Sequence, residues 1–475
     1  MTPDRATAGL QLGVLVAYSL GLVAYAAWMS RRVASTGSFF VADRRLGAGL
    51  LFSTFLAANI GAGSIIGASS FAYGIGLSAW WWVGSAGLGS LALAFLVGPR
   101  IRRIAAENGL HTVGDYLEHR YDRRVRGIVA SLLWVGTLAI LAGQLIAVAW
   151  VLHVVLGLPK PAGCLVGGAV MTTYFAAGGL LGAAWLNTLQ LVLELVVFSL
   201  LVPAAVSAAG GWQAVAAGTP GTQEYWSFLG GSRSGVAYLA MLAPAFIVSP
   251  GLLQKVYGAR DDRAVRLGVG ANAAVLLVFA FFPVALGMVA RARHPDLGNP
   301  ELALPMVLMH DLPPLLGALG LAAIFSTEVN TADAILFMLS TSLSQDLYRR
   351  FVNPGASDRQ VLAVARGAAV AGGALGVGLA MVASTIIGVL SVFYTLMSVA
   401  LFVPVVAGLY LTRVGPPEAL AAVAGGVSVT AAVYVATEGA GLGPFSPALL
   451  GLLAAAAGCA VAALGRTPGS GRAGV

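Results

Sequence analysis

Two stretches of this chain combine small, polar and helix-breaking residues within apolar sequence. The first, residues 57–64, reads AANIGAGS, and the second, residues 246–251, reads FIVSPG. Closely spaced glycines weaken a helix, and proline removes one of its backbone hydrogen bonds. An unwound helix exposes carbonyl oxygens, which are ligands that a hard cation prefers. Both stretches are therefore predicted to be interrupted helices that line a binding site.

A third stretch offers hydroxyl groups in a similar setting. Residues 323–333 read AIFSTEVNTAD inside a long apolar segment. At about 100° per residue, Ala323, Ser326, Thr327 and Asn330 share one face of a helix. Such a face presents oxygen atoms to a cation. The alternative is that the two hydroxyls bond back to the previous turn, as is common in membrane helices.

Three acidic residues, Glu194, Glu328 and Asp333, also lie in apolar sequence. A charged side chain is expensive at membrane depth, so intramembrane acids are often functional. Glu328 and Asp333 could balance a cationic substrate or carry protons. They could equally be protonated or hydrogen-bonded structural acids, and the same alternatives apply to Glu194.

The composition indicates which elements position these residues. Of the 475 residues, 58% are hydrophobic and 10% are charged, and the mean hydropathy is +0.87. Soluble domains carry about 25% charged residues, so a cytosolic enzyme, a nucleic-acid-binding protein and a disordered chain are excluded. The two cysteines, Cys164 and Cys459, have no metal-binding spacing and are predicted to be apolar filler.

Thirteen stretches are long and apolar enough to cross a bilayer, which takes about 20 residues. Numbered as spans 1 to 13, they are 8–30, 46–72, 76–99, 127–157, 162–182, 184–207, 235–257, 265–290, 313–344, 361–383, 386–411, 418–437 and 445–465. An odd number of spans leaves the two termini on opposite sides of the membrane.

The basic residues predict the orientation of these spans. If the loop after span 1 is cytoplasmic, 22 of the 27 Lys and Arg residues fall on the cytoplasmic side, as the positive-inside rule requires. We therefore expect a multi-pass protein of the plasma (inner) membrane, with its N-terminus outside and its C-terminus in the cytoplasm. The net charge of +8 then reflects topology rather than a nucleic-acid site.

The two interrupted stretches lie in spans 2 and 7, five spans apart. Matching interruptions in two halves of a helical membrane protein are typical of inverted-repeat transporters. We expect one all-α transmembrane domain over 1–475. Its predicted parts are a peripheral helix at 8–30, a first repeat at 46–207, a second repeat at 235–411, two peripheral helices at 418–465 and a disordered tail at 466–475.

Several motifs together resemble the sodium:solute symporter family. They are FFVADRRLG at 39–47, ANIGAGS at 58–64, AWLNTLQ at 184–190, PGLLQK at 250–255 and DLYRR at 346–350. The resemblance covers most of the chain. It implies a LeuT-type core of two inverted five-helix repeats with three peripheral helices, and a secondary active transporter that imports a small organic solute with Na⁺ by alternating access.

The resemblance also implies the sodium ligands by position. They are the backbone carbonyls of Ala57, Ile60 and Ala323 and the hydroxyls of Ser326 and Thr327. A site of neutral oxygens suits a monovalent ion that binds reversibly. Some members have a second sodium site built from an Asp and from hydroxyls, at positions that are Asn187, Val329 and Asn330 here. We therefore expect one Na⁺ per transport cycle.

The solute is expected between the two breaks, beside the ion. The predicted substrate-binding residues are Asn59, Ser64, Ser249 and Pro250, with Phe393 and Tyr394 as gating aromatics. Family sugar carriers have acid and amide side chains just after the first break, where Gly63 and Ser64 stand here, so a hexose is not expected. The resemblance implies no organic cofactor, and we expect a monomer or a weak oligomer in the bilayer.

The main alternative is a proton-coupled or uncoupled carrier of the same fold that uses Glu328 or Asp333. These two acids, with Glu194 and Asn187, form the candidate charge or proton site. Transport by such a carrier would follow pH and ignore Na⁺. A membrane enzyme is not expected, because the chain has neither a HExxH motif nor a GxSxG nucleophile elbow.

Overall fold

The computed structural model describes residues 44–230 and 234–465, together with scattered positions between 9 and 24. Most of the predicted span 8–30, and all of the predicted tail 466–475, lie outside the described residues. The described residues form helices and connecting loops. Two isolated β-bridges pair Leu46 with Ala259 and Leu442 with Phe445. The all-helical fold class is confirmed.

The described residues of the first half of the chain form nine α-helices. They are α1 Ala48–Asn59, α2 Ala68–Ile75, α3 Trp80–Ala92, α4 Gly98–Glu107, α5 Val113–Arg120, α6 Arg123–Leu156, α7 Lys160–Ala208, α8 Trp212–Gly218 and α9 Gln223–Trp226. A π-helical turn, Gly63–Gly67, leads into α2, and a second one, Leu93–Val97, joins α3 to α4.

The second half adds eleven α-helices. They are α10 Leu239–Val248, α11 Pro250–Tyr257, α12 Asp262–Phe279, α13 Phe281–Arg293, α14 Ala303–His310, α15 Pro314–Thr341, α16 Asp358–Val382, α17 Ile386–Leu396, α18 Val403–Tyr410, α19 Pro416–Ala436 and α20 Pro447–Leu464. Two π-helical segments, Ser342–Val352 and Met397–Phe402, extend α15 and join α17 to α18.

Ten helical segments of the described chain are long and apolar enough to cross a membrane. The predicted count of thirteen stays a prediction, because span 1 lies mostly outside the described residues and spans 5 and 6 fall on one helix. That helix, α7, runs for 49 residues. At 1.5 Å per residue it measures about 74 Å, more than twice the apolar thickness of a bilayer.

The two predicted repeats interlock rather than lie side by side. Helix α1 of the first repeat packs against α12 of the second, and α10 of the second packs against α3 of the first. Helices α6 and α15 also pack against each other. The helices α19 and α20 pack mainly on one another. The core therefore lies where helices of the two predicted repeats meet.

The halves of spans 2 and 7 that adjoin predicted cytoplasmic loops, α1 and α11, are joined to each other. The ammonium of the buried Lys255 donates to the carbonyl oxygen of Thr54 at 2.6 Å. At the ends of the same helices, Leu46 N donates to Gly258 O, and Arg260 N donates to Leu46 O, both at 3.0 Å. Side-chain and backbone bonds thus connect the two interrupted spans on this side.

A buried arginine connects the repeats near the predicted cytoplasmic face. Arg126 at the start of α6 pairs with Asp115 at 2.8 Å, with Glu118 at 3.0 Å and with Asp346 at 2.7 Å. Asp346 also accepts a hydrogen bond from the Thr112 hydroxyl at 2.5 Å. The basic segment 100–126 therefore forms ion pairs within the fold, in addition to carrying the positive charge from which the membrane topology is predicted.

Candidate ion and solute site

The first interruption opens the helix at residues 60–62. Helix α1 ends at Asn59, and Ile60 has extended backbone with φ −94° and ψ 113°. Helical structure resumes with the π-turn at Gly63 and continues through α2 to Ile75. The break that the sequence predicts in span 2 is confirmed.

A threonine of α15, in the second predicted repeat, reaches the exposed carbonyl end of this break. The Thr331 hydroxyl donates to Ile60 O at 2.6 Å and lies 3.3 Å from Ala57 O. Gly61 permits this approach, because a Cβ there would lie 2.5 Å from Thr331 Oγ1 and 2.9 Å from Gln144 Oε1. Three oxygen atoms from two helices therefore meet at the end of α1.

Side chains also satisfy the amide groups at the start of the helical segment that follows the break. Gly61 N donates to Ser64 Oγ at 2.7 Å, and Ala62 N donates to Gln144 Oε1 at 2.9 Å. Gln144 lies in α6 and is buried. Each helix end has orphan backbone groups, and at this break both ends are bonded to side chains.

The second interruption is of a different kind. Helix α10 ends at Val248, Ser249 has φ −50° and ψ 124°, and α11 begins at Pro250. Proline at the first helical position has no N–H to satisfy. No side chain of the described residues caps the start of α11. The predicted break in span 7 is confirmed, and the proline accounts for it.

A small cavity of about 30 Å³ lies beside the first break. Its polar lining residues are Asn59, Ser64, Gln144 and Thr331, and its aromatic lining residues are Trp82, Phe246 and Tyr394. Tyr394 lies 6.1 Å from Trp82 and 5.4 Å from Phe246, measured between ring centroids. The cavity thus joins residues of α1, α3, α6, α10, α15 and α17 at the centre of the fold.

The structure gathers some of the predicted substrate residues at this cavity but not others. Asn59, Ser64 and Tyr394 line it, whereas Ser249 and Phe393 are not among its lining residues. Phe393 is buried behind Tyr394, at 5.2 Å between ring centroids. Pro250 lines a separate cavity toward the predicted cytoplasmic side, with Thr112, Gln254 and Asp346.

The hydroxyls expected at the sodium site make other contacts. Thr327 Oγ1 donates to Ala323 O at 2.7 Å, within its own helix, and Ser326 Oγ donates to Glu194 Oε1 at 3.2 Å. The described contacts of the Ala57 and Ile60 carbonyls are instead with Thr331, one helical turn farther along α15. The expected ligand set of Ala57, Ile60, Ala323, Ser326 and Thr327 stays a prediction, and Thr331 is an additional oxygen beside it.

The three intramembrane acids are all buried. Glu194 and Glu328 are 0% exposed and Asp333 is 4% exposed. Neither carboxylate oxygen of Glu328 has a hydrogen-bond partner of normal geometry within the described part of the chain, although the Ala62 amide and the Glu194 carboxylate are near. The side chain of Asn187 lies outside the described residues.

Of the polar and aromatic lining residues, four were not predicted as site residues: Trp82, Gln144, Phe246 and Thr331. Gln144 gave the clearest signal, as a lone amide within the apolar stretch 127–157. Thr331 belongs to the polar run 326–333. Because residues three or four apart share a face of a helix, periodicity alone does not distinguish Thr331 from Thr327. Trp82 and Phe246 lie among many other apolar residues, which gives them no distinguishing pattern.

Interrupted helices that meet at a central cavity, within a bundle of interlocked membrane-spanning segments, are the architecture of a secondary transporter. The described helices are long and apolar enough for an integral multi-pass membrane protein.

The sodium:solute symporter family model matches residues 39–426, so the chain belongs to that family. The chain is 26% identical over 394 residues to YidK, an uncharacterised symporter of Escherichia coli strain K12, covering 75% of this chain but only 66% of that relative. It is 27% identical over 352 residues to the sodium/pantothenate symporter of the same strain, with coverage of 70% and 71%.

A solved structure of a Na⁺-coupled sialic acid symporter shares the fold. It superposes with a TM-score of 0.80 and covers 96% of this chain and 97% of that one, at 17% sequence identity. A nucleobase-cation-symport-1 family transporter, Mhp1, is similar with a TM-score of 0.59. Both are sodium- or cation-coupled transporters by name, and their similarity here concerns the fold.

Proposed function

We propose that this protein imports a small organic solute together with Na⁺ by alternating access. One observation carries the proposal: the carbonyls of Ala57 and Ile60 converge with the Thr331 hydroxyl at the break. Oxygen ligands from two different helices suit a hard cation. Family membership supports Na⁺ as that cation.

The proposed sodium ligands are the oxygens of Ala57, Ile60 and Thr331. The Thr331 hydroxyl now donates its proton to the Ile60 carbonyl. If it rotates that proton away, its lone pairs become available to an ion in the same place. Because Thr331 belongs to the second repeat and the carbonyls to the first, the ion would draw α15 and the broken span together. This dependence on helix position is how ion binding would favour one conformation.

The free energy available from one Na⁺ is sufficient for accumulation. One charge crossing 100 mV is worth about 2.3 kcal/mol, and a tenfold gradient adds about 1.4 kcal/mol. Together, at about 1.4 kcal/mol per decade, they support roughly several-hundredfold accumulation of a neutral solute. A single sodium site is therefore adequate for a scavenging importer.

The test is a thermal-shift screen of the purified protein followed by uptake in proteoliposomes. A panel of sugars, amino acids, carboxylates and organic cations is screened in NaCl and in KCl. We expect stabilisation by a solute in NaCl only, since a ligand stabilises the state that it binds. Uptake of that solute should then follow the sodium gradient. Uptake that ignores Na⁺ and follows a pH gradient would favour the proton-coupled carrier instead.

A further inference from the structure

Helices α4 and α12 lie side by side and run in opposite directions near the predicted cytoplasmic face. A Cβ at Gly98 would lie 2.8 Å from Val265 Cγ1, and a Cβ at Gly270 would lie 3.4 Å from Phe95 Cζ. Residue numbers therefore rise along one helix as they fall along the other. The exposed surface along this contact, here named the α4–α12 seam, is formed by residues 95–107 and 262–271.

The exposed side chains of the seam change from apolar to basic at the same level on both helices. Phe95, Leu96 and Leu267 are each more than half exposed. Arg100 lies about one turn beyond Leu96, and Arg263 lies about one turn before Leu267. The exposed arginines of the seam are Arg100, Arg103, Arg263 and Arg266. Because arginines near the end of a membrane-spanning helix extend their charge toward the headgroups, this change indicates the boundary of the bilayer.

The protein balances the positive charge of the seam only in part. Residues 98–107 and 262–266 contain five arginines and two acids. Asp262 pairs with Arg102 at 2.6 Å and with Arg103 at 3.0 Å. The seam arginines that form no ion pair within the described part of the chain are Arg100, Arg263 and Arg266. Neighbouring like charges repel each other, so a bound anion would stabilise this arrangement.

An aromatic ring holds one of these arginines at the boundary. The Arg100 guanidinium lies 4.8 Å from the centroid of the Tyr410 ring, and the Tyr410 hydroxyl donates to Leu96 O at 2.8 Å. Stacking on a ring uses the face of a guanidinium and leaves the N–H groups at its edge, which fit a phosphate with two bonds. Arg100 is therefore positioned to bind a phosphate group.

We propose that the α4–α12 seam binds an anionic phospholipid. The three arginines without ion-pair partners would contact the headgroup phosphate, and the acyl chains would lie along Phe95, Leu96 and Leu267. A lipid fits better than a free phosphate ion, because basic and apolar side chains adjoin on one exposed surface. Membrane topology requires basic residues on the cytoplasmic side, but it does not require them to gather on two adjacent helices above exposed apolar residues.

The test is a thermal-shift titration of the purified full-length protein in detergent. Dioleoyl phosphatidylglycerol is compared with dioleoyl phosphatidylcholine, which has the same acyl chains but no net charge, and with inorganic phosphate. We expect phosphatidylglycerol to bind at least about tenfold more tightly than phosphatidylcholine, since each basic residue near an anionic surface contributes about fivefold. Equal stabilisation by the two lipids would overturn the proposal, and so would equal stabilisation by inorganic phosphate.

Two double substitutions locate the lipid. Arg100→Gln with Arg266→Gln should weaken binding of phosphatidylglycerol at least about tenfold. The matched control is Arg359→Gln with Arg366→Gln, which removes the same charge from exposed positions of α16. It should leave the affinity within about threefold, because surface charge away from a bound headgroup is screened.

An equal loss of affinity in both double variants would overturn the proposal, because net charge alone would then determine binding. Unchanged affinity in both would overturn it as well. If the first double variant does not fold, Arg263→Gln alone is the second test, with an expected loss of about fivefold.

The lipid site is separate from the proposed ion site, because the seam contains none of the proposed sodium ligands. Phosphatidylglycerol should therefore give the same shift in NaCl and in KCl of equal concentration. A lipid shift that requires Na⁺ would contradict a separate site.

Discussion

The two interrupted helices differ in how their free ends are satisfied. At the first break, side chains from α6 and α15 bond the opened backbone, through Gln144 to Ala62 N and through Thr331 to Ile60 O. At the second break, Pro250 begins α11 without an N–H, and no described side chain caps it.

This difference indicates separate roles for the two breaks. Backbone groups that depend on partners from other helices can exchange those partners for a ligand, and the exchange alters helix contacts. A break made by proline has no donor at that position and changes only the direction of the helix. The first break is therefore the proposed binding element, and the second is a bend. Three substitutions test this contrast.

Thr331→Val should have the largest effect. It preserves shape but removes the oxygen that faces the Ala57 and Ile60 carbonyls. We expect the sodium concentration for half-maximal uptake or stabilisation to rise at least about tenfold, because losing a hydrogen bond or ligand at a buried site costs roughly 1–3 kcal/mol.

The matched control is Thr327→Val, whose hydroxyl bonds only within its own helix turn among the described contacts. We expect less than about a threefold change in its sodium dependence, since back-bonding adds little to helix stability. A large effect of Thr327→Val with none for Thr331→Val would return the site to the originally expected residues.

Gln144→Leu should have an intermediate effect, on stability as well as on binding. It leaves the Ala62 amide without its partner in a buried setting, which costs about 1–3 kcal/mol. The melting temperature in detergent should fall. The comparison is Asn59→Leu, which breaks a side-chain bond to Asn272 rather than a bond to the backbone. An equal fall in melting temperature in both variants would show that the bond from Ala62 N to Gln144 contributes no more to stability than the bond between Asn59 and Asn272.

Pro250→Ala should have the smallest effect on ion affinity. It restores an N–H at the second break but removes no side chain of the first. We expect the sodium concentration for half-maximal uptake to change by less than about threefold. The uptake rate should change more, because the proline bend sets the direction of the helix. A tenfold loss of sodium affinity would contradict separate roles for the two breaks.

Much of the site could be predicted because its signals are local. Glycines after Asn59 and the proline after Ser249 marked both breaks, and the polar run of α15 marked the helix that crosses the first one. Periodicity gives the face of a helix but not the depth at which that face meets another. Ser326, Thr327 and Thr331 all fit a polar helix, and only tertiary packing brought Thr331 to the carbonyls.

Other features depend on packing that no local pattern encodes. Gln144 is one amide in a 34-residue apolar helix, and its role exists only because Ala62 lies opposite. The division of spans 5 and 6 was expected near residue 183, yet the intervening sequence GGLLGAAW at 178–185 contains no proline. The structure continues helix α7 across it.

The bonds between α1 and α11 have a mechanical consequence. Lys255 holds Thr54 through its ammonium group, and Leu46 is bonded on both sides to the chain after α11. These bonds couple α1 and α11 as one unit, with an interruption of the helix at one end of each. In the proposed alternating-access cycle, a rotation that opens a path to the predicted cytoplasmic side would therefore carry both half-helices together, and the backbone would bend at both breaks in the same movement.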